Sequence, residues 1–253
     1  MKRRNFETIV AENDSEPREK KADITQSNNL DWRECLEKIA QMRLEGDAPV
    51  DTKGCHMLAD KTADPQVFRF QILLALMLSS QTKDEITAAA MHRLKDYGCT
   101  VENIRKLSGL ELQKLLIPVG FYRRKAEYIK KVAEILVEKY GGDIPNTVDG
   151  LCSLPGVGPK MAYLAMQCAW DIDAGIGVDT HVHRISNRLG LVRTKTPENT
   201  RTDLEDLIPH SEWRRVNKLF VGFGQQICLP VLPKCSECLL KDKCPTIGVK
   251  KAR

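Results

Sequence analysis

From Trp32 onward the apolar positions recur at helical spacing, and the polar stretches between them carry helix starts and stops. Ala126, Ile129, Val132, Ala133, Leu136, Val137 and Tyr140 keep the spacing of one buried helical face, and Gly141-Gly142 ends it. Asp64-Pro65 offers an N-cap followed by proline at the first helical position. The stretch after it, VFRFQILLALMLSS, is apolar nearly all round and predicts a central, buried helix. Asp84 to Tyr97 predicts a helix stopped by Gly98. Ser108 with Glu111 spells a capping box for a short helix ending near Pro118. Thr196-Pro197 and Ser211 predict the starts of two more. No period-two alternation runs long enough for a strand, so the pattern predicts an all-α protein. Residues 1–30 are polar, almost without large apolar side chains, and read as a disordered tail.

Composition narrows the setting. A formal charge of +5 permits an acidic partner such as nucleic acid without requiring one. Nine cysteines, five of them scattered singly (Cys35, Cys55, Cys99, Cys152, Cys168), do not make a secreted disulfide framework and point to a reducing compartment. The longest apolar run, Ile72 to Leu78, falls far short of the roughly 18 residues a membrane span needs. The opening residues lack an apolar segment and mix acids with bases, unlike a secretory signal or transit peptide. A soluble, intracellular monomer with no membrane partner is expected. Lys2, Arg3 and Arg4 form a short basic cluster of the kind found in nuclear signals.

The stretch LPGVGPKMA, Leu154 to Ala162, puts a lysine where a helix least favours one. Gly156 and Gly158 allow a tight turn and close backbone approach, while Pro155 and Pro159 stiffen it. Free N–H groups at the following helix start make an anion site, and with a short helix over Val148 to Ser153 the unit reads as a helix–hairpin–helix that grips a phosphate. An ordinary glycine-containing αα-turn is the plainer alternative. Lys160 then opens the helix M-A-Y-L-A-M, its cation set against the positive end of the dipole. As a neutral amine it is a nucleophile able to form a Schiff base with a sugar carbon; as a cation it is a simple phosphate contact.

Downstream, GVDTHVHRISNRLG places Asp179 or Thr180 as the N-cap of a helix running to about Gly190. A capping carboxylate stays ionised, and a fixed negative charge of that kind stabilises a cationic sugar transition state. His181 and His183 read as surface or packing residues. The last third carries Cys228, Cys235, Cys238 and Cys244 in a C-x6-C-x2-C-x5-C pattern. Only the middle two form a close couple, so both a structural zinc and an iron–sulfur cluster stay open. Lys234, Lys241 and Lys243 lie within or beside this loop as candidate phosphate contacts or a solvated face.

These three signals, in this order, resemble the endonuclease III family of DNA base-excision glycosylases, closest to its eukaryotic branch. The likeness spans about Asp31 to Ile247. It implies a helix–hairpin–helix glycosylase fold: a six-helix barrel domain over residues 62–172, and a second helical domain over 31–61 and 173–253 holding a [4Fe–4S] cluster on Cys228, Cys235, Cys238 and Cys244, with a DNA cleft between. The resemblance implies Lys160 as the nucleophile that expels an oxidised pyrimidine and then nicks the strand by β-elimination, and Asp179 as the catalytic carboxylate. The partner would be double-stranded DNA carrying an oxidised pyrimidine or an abasic site, in the nucleus and also the mitochondrion. Gln81, in LMLSSQTKD, matches a glutamine that fills the space of the extruded base. Phe121, in VGFYRR, falls where relatives carry an apolar wedge, or else packs in the core. Arg123, Arg124 and Lys125 beside it are candidate phosphate contacts.

Three rivals make distinct predictions. An adenine mismatch glycosylase shares the fold and cluster but lacks the hairpin lysine and carries a further C-terminal domain, whereas this sequence has Lys160 and stops soon after Cys244. A non-catalytic helix–hairpin–helix module, or a zinc-stapled structural protein, would leave Lys160 and Asp179 without chemistry.

Overall fold

The structure, a computed structural model, describes residues 30–249. The expected tail, except Leu30, and the cluster Lys2, Arg3 and Arg4 lie outside the described residues. Those residues form helices and no strand: α1 (Trp32–Gln41), α2 (Pro49–Lys53), α3 (Cys55–Leu58), α4 (Pro65–Ser79), α5 (Asp84–Tyr97), α6 (Val101–Lys106), α7 (Gly109–Leu116), α8 (Tyr122–Tyr140), α9 (Val148–Cys152), α10 (Pro159–Ala169), α11 (Thr180–Arg188), α12 (Pro197–Leu207) and α13 (Trp213–Gln226).

Local chemistry sets most of the boundaries. Glu111 N donates to Ser108 Oγ (3.2 Å) and Ser108 N to Glu111 Oε2 (2.8 Å), so the capping box starts α7 as read. Thr196 caps α12 by accepting from Asn199 N at 3.2 Å. Gly98, at φ +102°, ends α5. Asp64 stands at the N-cap position of α4 but makes no side-chain bond there, leaving Pro65 as the start signal. Ser211 does not start α13, contrary to expectation. It lies in a single 3₁₀ turn (His210–Glu212) after Pro209, and that turn runs straight into the helix. The residue before Trp213 is already in the right-handed helical region, with no extended N-cap.

The apolar face of each helix finds one of two buried clusters. The first is built on α4, buried without a break from Phe70 to Leu78 and packed against α3, α5, α8 and α10. Each such Leu, Ile or Phe contributes about 1.5–3 kcal/mol when fully buried. α8 covers α6 and α7, and α9 packs against α10. The second cluster joins α1 to α11, α12 and α13 around Phe220 and Phe223. Leu58 and Ala59 pack in the first cluster. α2 touches both α5 and α13. It is fastened by Val50 N donating to Gln225 Oε1 (3.0 Å) and by Asp51, which receives the buried Arg43 guanidinium.

Three helices of the first cluster end on a cation supplied from outside the helix. Arg93 Nε and Nη2 donate to Leu115 O (2.8 Å) and Ile117 O (2.6 Å) after α7. Lys130 Nζ donates to Arg105 O (2.5 Å) and Leu107 O (2.7 Å) at the end of α6. Lys125 Nζ does the same for α4. A positive charge against the last carbonyls satisfies orphan acceptors and opposes the dipole.

Candidate active site

A cavity of about 910 Å³ lies where the two clusters meet, walled by the starts of α2 and α3, the end of α4, the first turn of α5, one side of α10, residues 176 and 178–181, and α12 and α13. Lys160 reaches it from the first turn of α10 and Asp179 from the head of α11. Asp179, rather than Thr180, is the cap: its Oδ1 accepts from Val182 N at 2.8 Å. Gln81 lines the same space, with Asp84, His181, Cys55 and Gln225.

Asp84 and Gln225 carried no signal in the sequence beyond a helix start and a helix end. They meet only through tertiary packing, Gln225 Nε2 donating to Asp84 Oδ2 at 2.8 Å. Burial raises the Asp84 carboxyl from its ordinary value, opposed by that amide. Burial lowers the His181 imidazole, opposed by the Asp179 carboxylate. Burial pushes the nearby Cys168 thiol up to about 12 and raises that of Cys55, which keeps both in the protonated form.

The hairpin joins α9 to α10 beside this cavity. Gly156 has φ +80°, and a Cβ there would fall 2.5 Å from the Tyr128 ring, so both backbone and packing demand glycine. Gly158, the residue before Pro159, has an ordinary φ, and beyond its two chain neighbours nothing in the protein lies within 4 Å of where its Cβ would stand. Its surroundings are open to a molecule outside the chain.

Phe121, Arg123 and Arg124 stand at the start of α8, outside the cavity walls. Phe121 is 67% exposed, which removes the core-packing alternative. It and Gln81 both sit in the left-handed region (φ +56° and +50°), a costly conformation for non-glycine residues that recurs at functional tips. Arg123 lies over the Tyr122 ring, and Arg124 Nε donates to Tyr128 Oη at 2.8 Å. Lys125 is no surface phosphate contact. Its side chain is buried, with Nζ 2.7 Å from Leu78 O, 2.5 Å from Ser80 O and 3.1 Å from Thr82 Oγ1.

Cys228, Cys235, Cys238 and Cys244 line a second cavity of about 40 Å³, walled by Leu189, Phe223, Ile227 and Pro233. Among the described residues no three His, Cys, Asp or Glu side chains close on a single-ion site. Donors are nonetheless aimed at the sulfurs: Arg188 Nη1 at Cys228 Sγ (3.3 Å) and Thr246 N at Cys244 Sγ (3.4 Å). Arg188 Nε is buried without a protein partner. All-thiolate donors, N–H groups directed at them and an orphaned guanidinium nitrogen suit a cluster with acceptor sulfurs of its own. Lys234 and Lys241 stand at the edge of this cavity. Lys243 Nζ pairs with Glu34 Oε2 at 2.7 Å, tying the loop to α1.

An all-helical chain with a helix–hairpin–helix beside a lysine-bearing cavity defines a class, and residues 74–210 match the HhH-GPD superfamily base excision DNA repair protein family. The chain is 56% identical over 217 residues to endonuclease III-like protein 1 of Gallus gallus, covering 85% of this chain and 77% of that one. It is 50% identical over 222 residues to endonuclease III homolog 1, chloroplastic, of Arabidopsis thaliana, covering 85% of this chain and 58% of the relative. A solved structure of a trapped endonuclease III–DNA covalent intermediate superposes with a TM-score of 0.74 at 30% identity, covering 85% of this chain and 94% of that one. The chain belongs to the endonuclease III family. It is a DNA glycosylase and abasic-site lyase of base excision repair.

Proposed function

We propose that Lys160 and Asp179 carry the chemistry, on an oxidised pyrimidine in double-stranded DNA. One observation carries this reading: a lysine from the first cluster and a helix-capping carboxylate from the second line one cavity, with a hairpin suited to a phosphate beside it. Lys160 Nζ, as the neutral amine, attacks the sugar C1′. The glycosidic C–N bond breaks and the base leaves with a proton. The sugar ring opens at its C1′–O4′ bond to give an imine, loss of a C2′ proton expels the 3′ phosphate, and water later frees the lysine. The Asp179 carboxylate faces the positive charge that develops on the sugar as the base departs.

Gln81 fills the gap left in the stack, and Phe121 wedges the strand opposite. Gly156 and Gly158 bring backbone N–H groups to a phosphate, and Arg123, Arg124, Lys234 and Lys241 add charge along the backbone. Lys243 contributes through its hold on Glu34. The two buried clusters act as two domains flanking the DNA. The family carries a [4Fe–4S] cluster, and the four cysteines here are its ligands. When bound, the cluster ties the 228–244 loop against α11, presenting Lys234 and Lys241. The working form is a monomer in the nucleus and also in mitochondria.

The substrate assignment is tested with duplexes holding one thymine glycol, one 8-oxoguanine opposite cytosine, or one adenine opposite 8-oxoguanine. The expected result is single-turnover release and strand nicking on the first, at a rate at least about tenfold above the other two, since shape and hydrogen bonding in a pocket readily separate ring types. Preferred release of adenine without nicking would assign the chain to the adenine-specific branch instead.

A further inference from the structure

Lys125 occupies a place that neither the chemistry nor the DNA contacts above use. A lysine buried among neutral groups is rare, since its charge must be compensated. Here the ammonium's three donors meet Leu78 O, Ser80 O and Thr82 Oγ1. The first two are carbonyls at the open end of α4, where a cation is favoured. The third links a second loop, because Gly120 N donates to Thr82 Oγ1 at 3.1 Å. The contact is close: a Cβ on Gly120 would lie 2.6 Å from Gln81 O. One side chain from the first turn of α8 therefore fastens the loop of Gln81 to the loop of Phe121. Both tips are exposed residues held in left-handed backbone. Burial lowers the Lys125 ammonium to about 8, the cost of placing the charge there.

We propose that Lys125 is a positioning residue that holds Gln81 and Phe121 as one rigid pair against the DNA strand opposite the extruded base. This rests on the glycosylase reading and on the roles given to those two tips. The lysine touches neither the sugar nor the leaving base; its effect is confined to strand invasion. A merely structural cap would lower stability and impair every substrate alike. Lys130 supplies that comparison, because it caps α6 from the same helix with the same chemistry and touches neither tip.

The experiment compares Lys125→Met and Lys130→Met with wild type in single-turnover excision of thymine glycol from two duplexes. In one the lesion faces adenine; in the other it faces a base-less tetrahydrofuran spacer, which leaves the pair nothing to hold. For Lys125→Met we expect a loss of roughly tenfold or more against adenine, as misplacement of a positioning contact gives. Against the spacer the loss shrinks to about twofold, and Lys130→Met shows no dependence on the opposing residue. An equal loss on both duplexes, no loss on either, or the same dependence in Lys130→Met would overturn the proposal. Should Lys125→Met fail to fold, Thr82→Val removes only the bridging hydroxyl and decides on the same two duplexes. A wild-type protein inactive on both duplexes would overturn the oxidised-pyrimidine assignment, which is a different result.

Discussion

Asp179→Asn melts within about 2 °C of wild type yet excises a damaged base roughly a hundredfold to a thousandfold more slowly. The two halves of this result separate the two roles of one side chain. As a cap, Asp179 accepts from Val182 N, and asparagine caps a helix about as well as aspartate, so the start of α11 persists. As a charge, it stabilises the cationic sugar, and removing one preorganised group from a transition state costs about that factor. Asp179→Ala loses both and adds a cap penalty of about 1 kcal/mol. Melting curves and single-turnover excision on the same preparations check the split. An Asp179→Asn protein with near-wild-type excision would reduce the residue to a helix cap and return the mechanism to Lys160 alone.

Cys238→Ala loses iron and visible charge-transfer absorbance, melts well below wild type and binds duplex DNA weakly. The loop from Cys228 to Cys244 has little apolar core of its own beyond Leu240, with Val231 and Leu232 exposed at its tip. Polar contacts also tie it down: the Lys243–Glu34 pair, Lys38 on Leu239 O, Arg184 on Cys228 O, and Arg188 on Cys228 Sγ, Leu229 O and Pro230 O. A group bound only in the folded state contributes its binding energy to folding. A loss of about 3 kcal/mol or more, at roughly 2–4 °C per kcal/mol for a chain of this size, lowers the melting point by about 6–12 °C. Iron content, absorbance and a thermal melt check this. A protein that keeps iron and melting temperature without Cys238 would remove it from the ligand set.

The long elements were legible because their signals are local. The capping box at Ser108 and Glu111, the glycine stops at Gly98 and Gly141, and the apolar face of α8 each arise from residues within a turn or two. The short helices α2, α3 and α6 hold four to six residues, too few for a periodicity to show. Ser211 misled because a proline-initiated 3₁₀ turn replaces the extended backbone an N-cap needs.

At the site the same division holds. Lys160 and Asp179 stand in stretches whose glycines, prolines and cap have mechanical reasons of their own. Asp84 and Gln225 are 141 residues apart and acquire meaning only where α5 meets α13. Lys125 shows the limit best. In FYRRKA it reads as the third base of a surface cluster, because nothing in the sequence tells that its stem turns inward to the end of a helix 45 residues earlier.

The central claim is that Lys160 becomes covalently joined to DNA through an imine. Borohydride reduces such an imine to a stable amine, so the measurement is trapping on a duplex with one oxidised pyrimidine, comparing iron-loaded wild type with Lys160→Gln. A protein–DNA adduct in wild type that disappears in Lys160→Gln, with DNA binding retained in both, is the expected result. Loss of the adduct in wild type, or its persistence in Lys160→Gln, would contradict the account and move the nucleophile elsewhere.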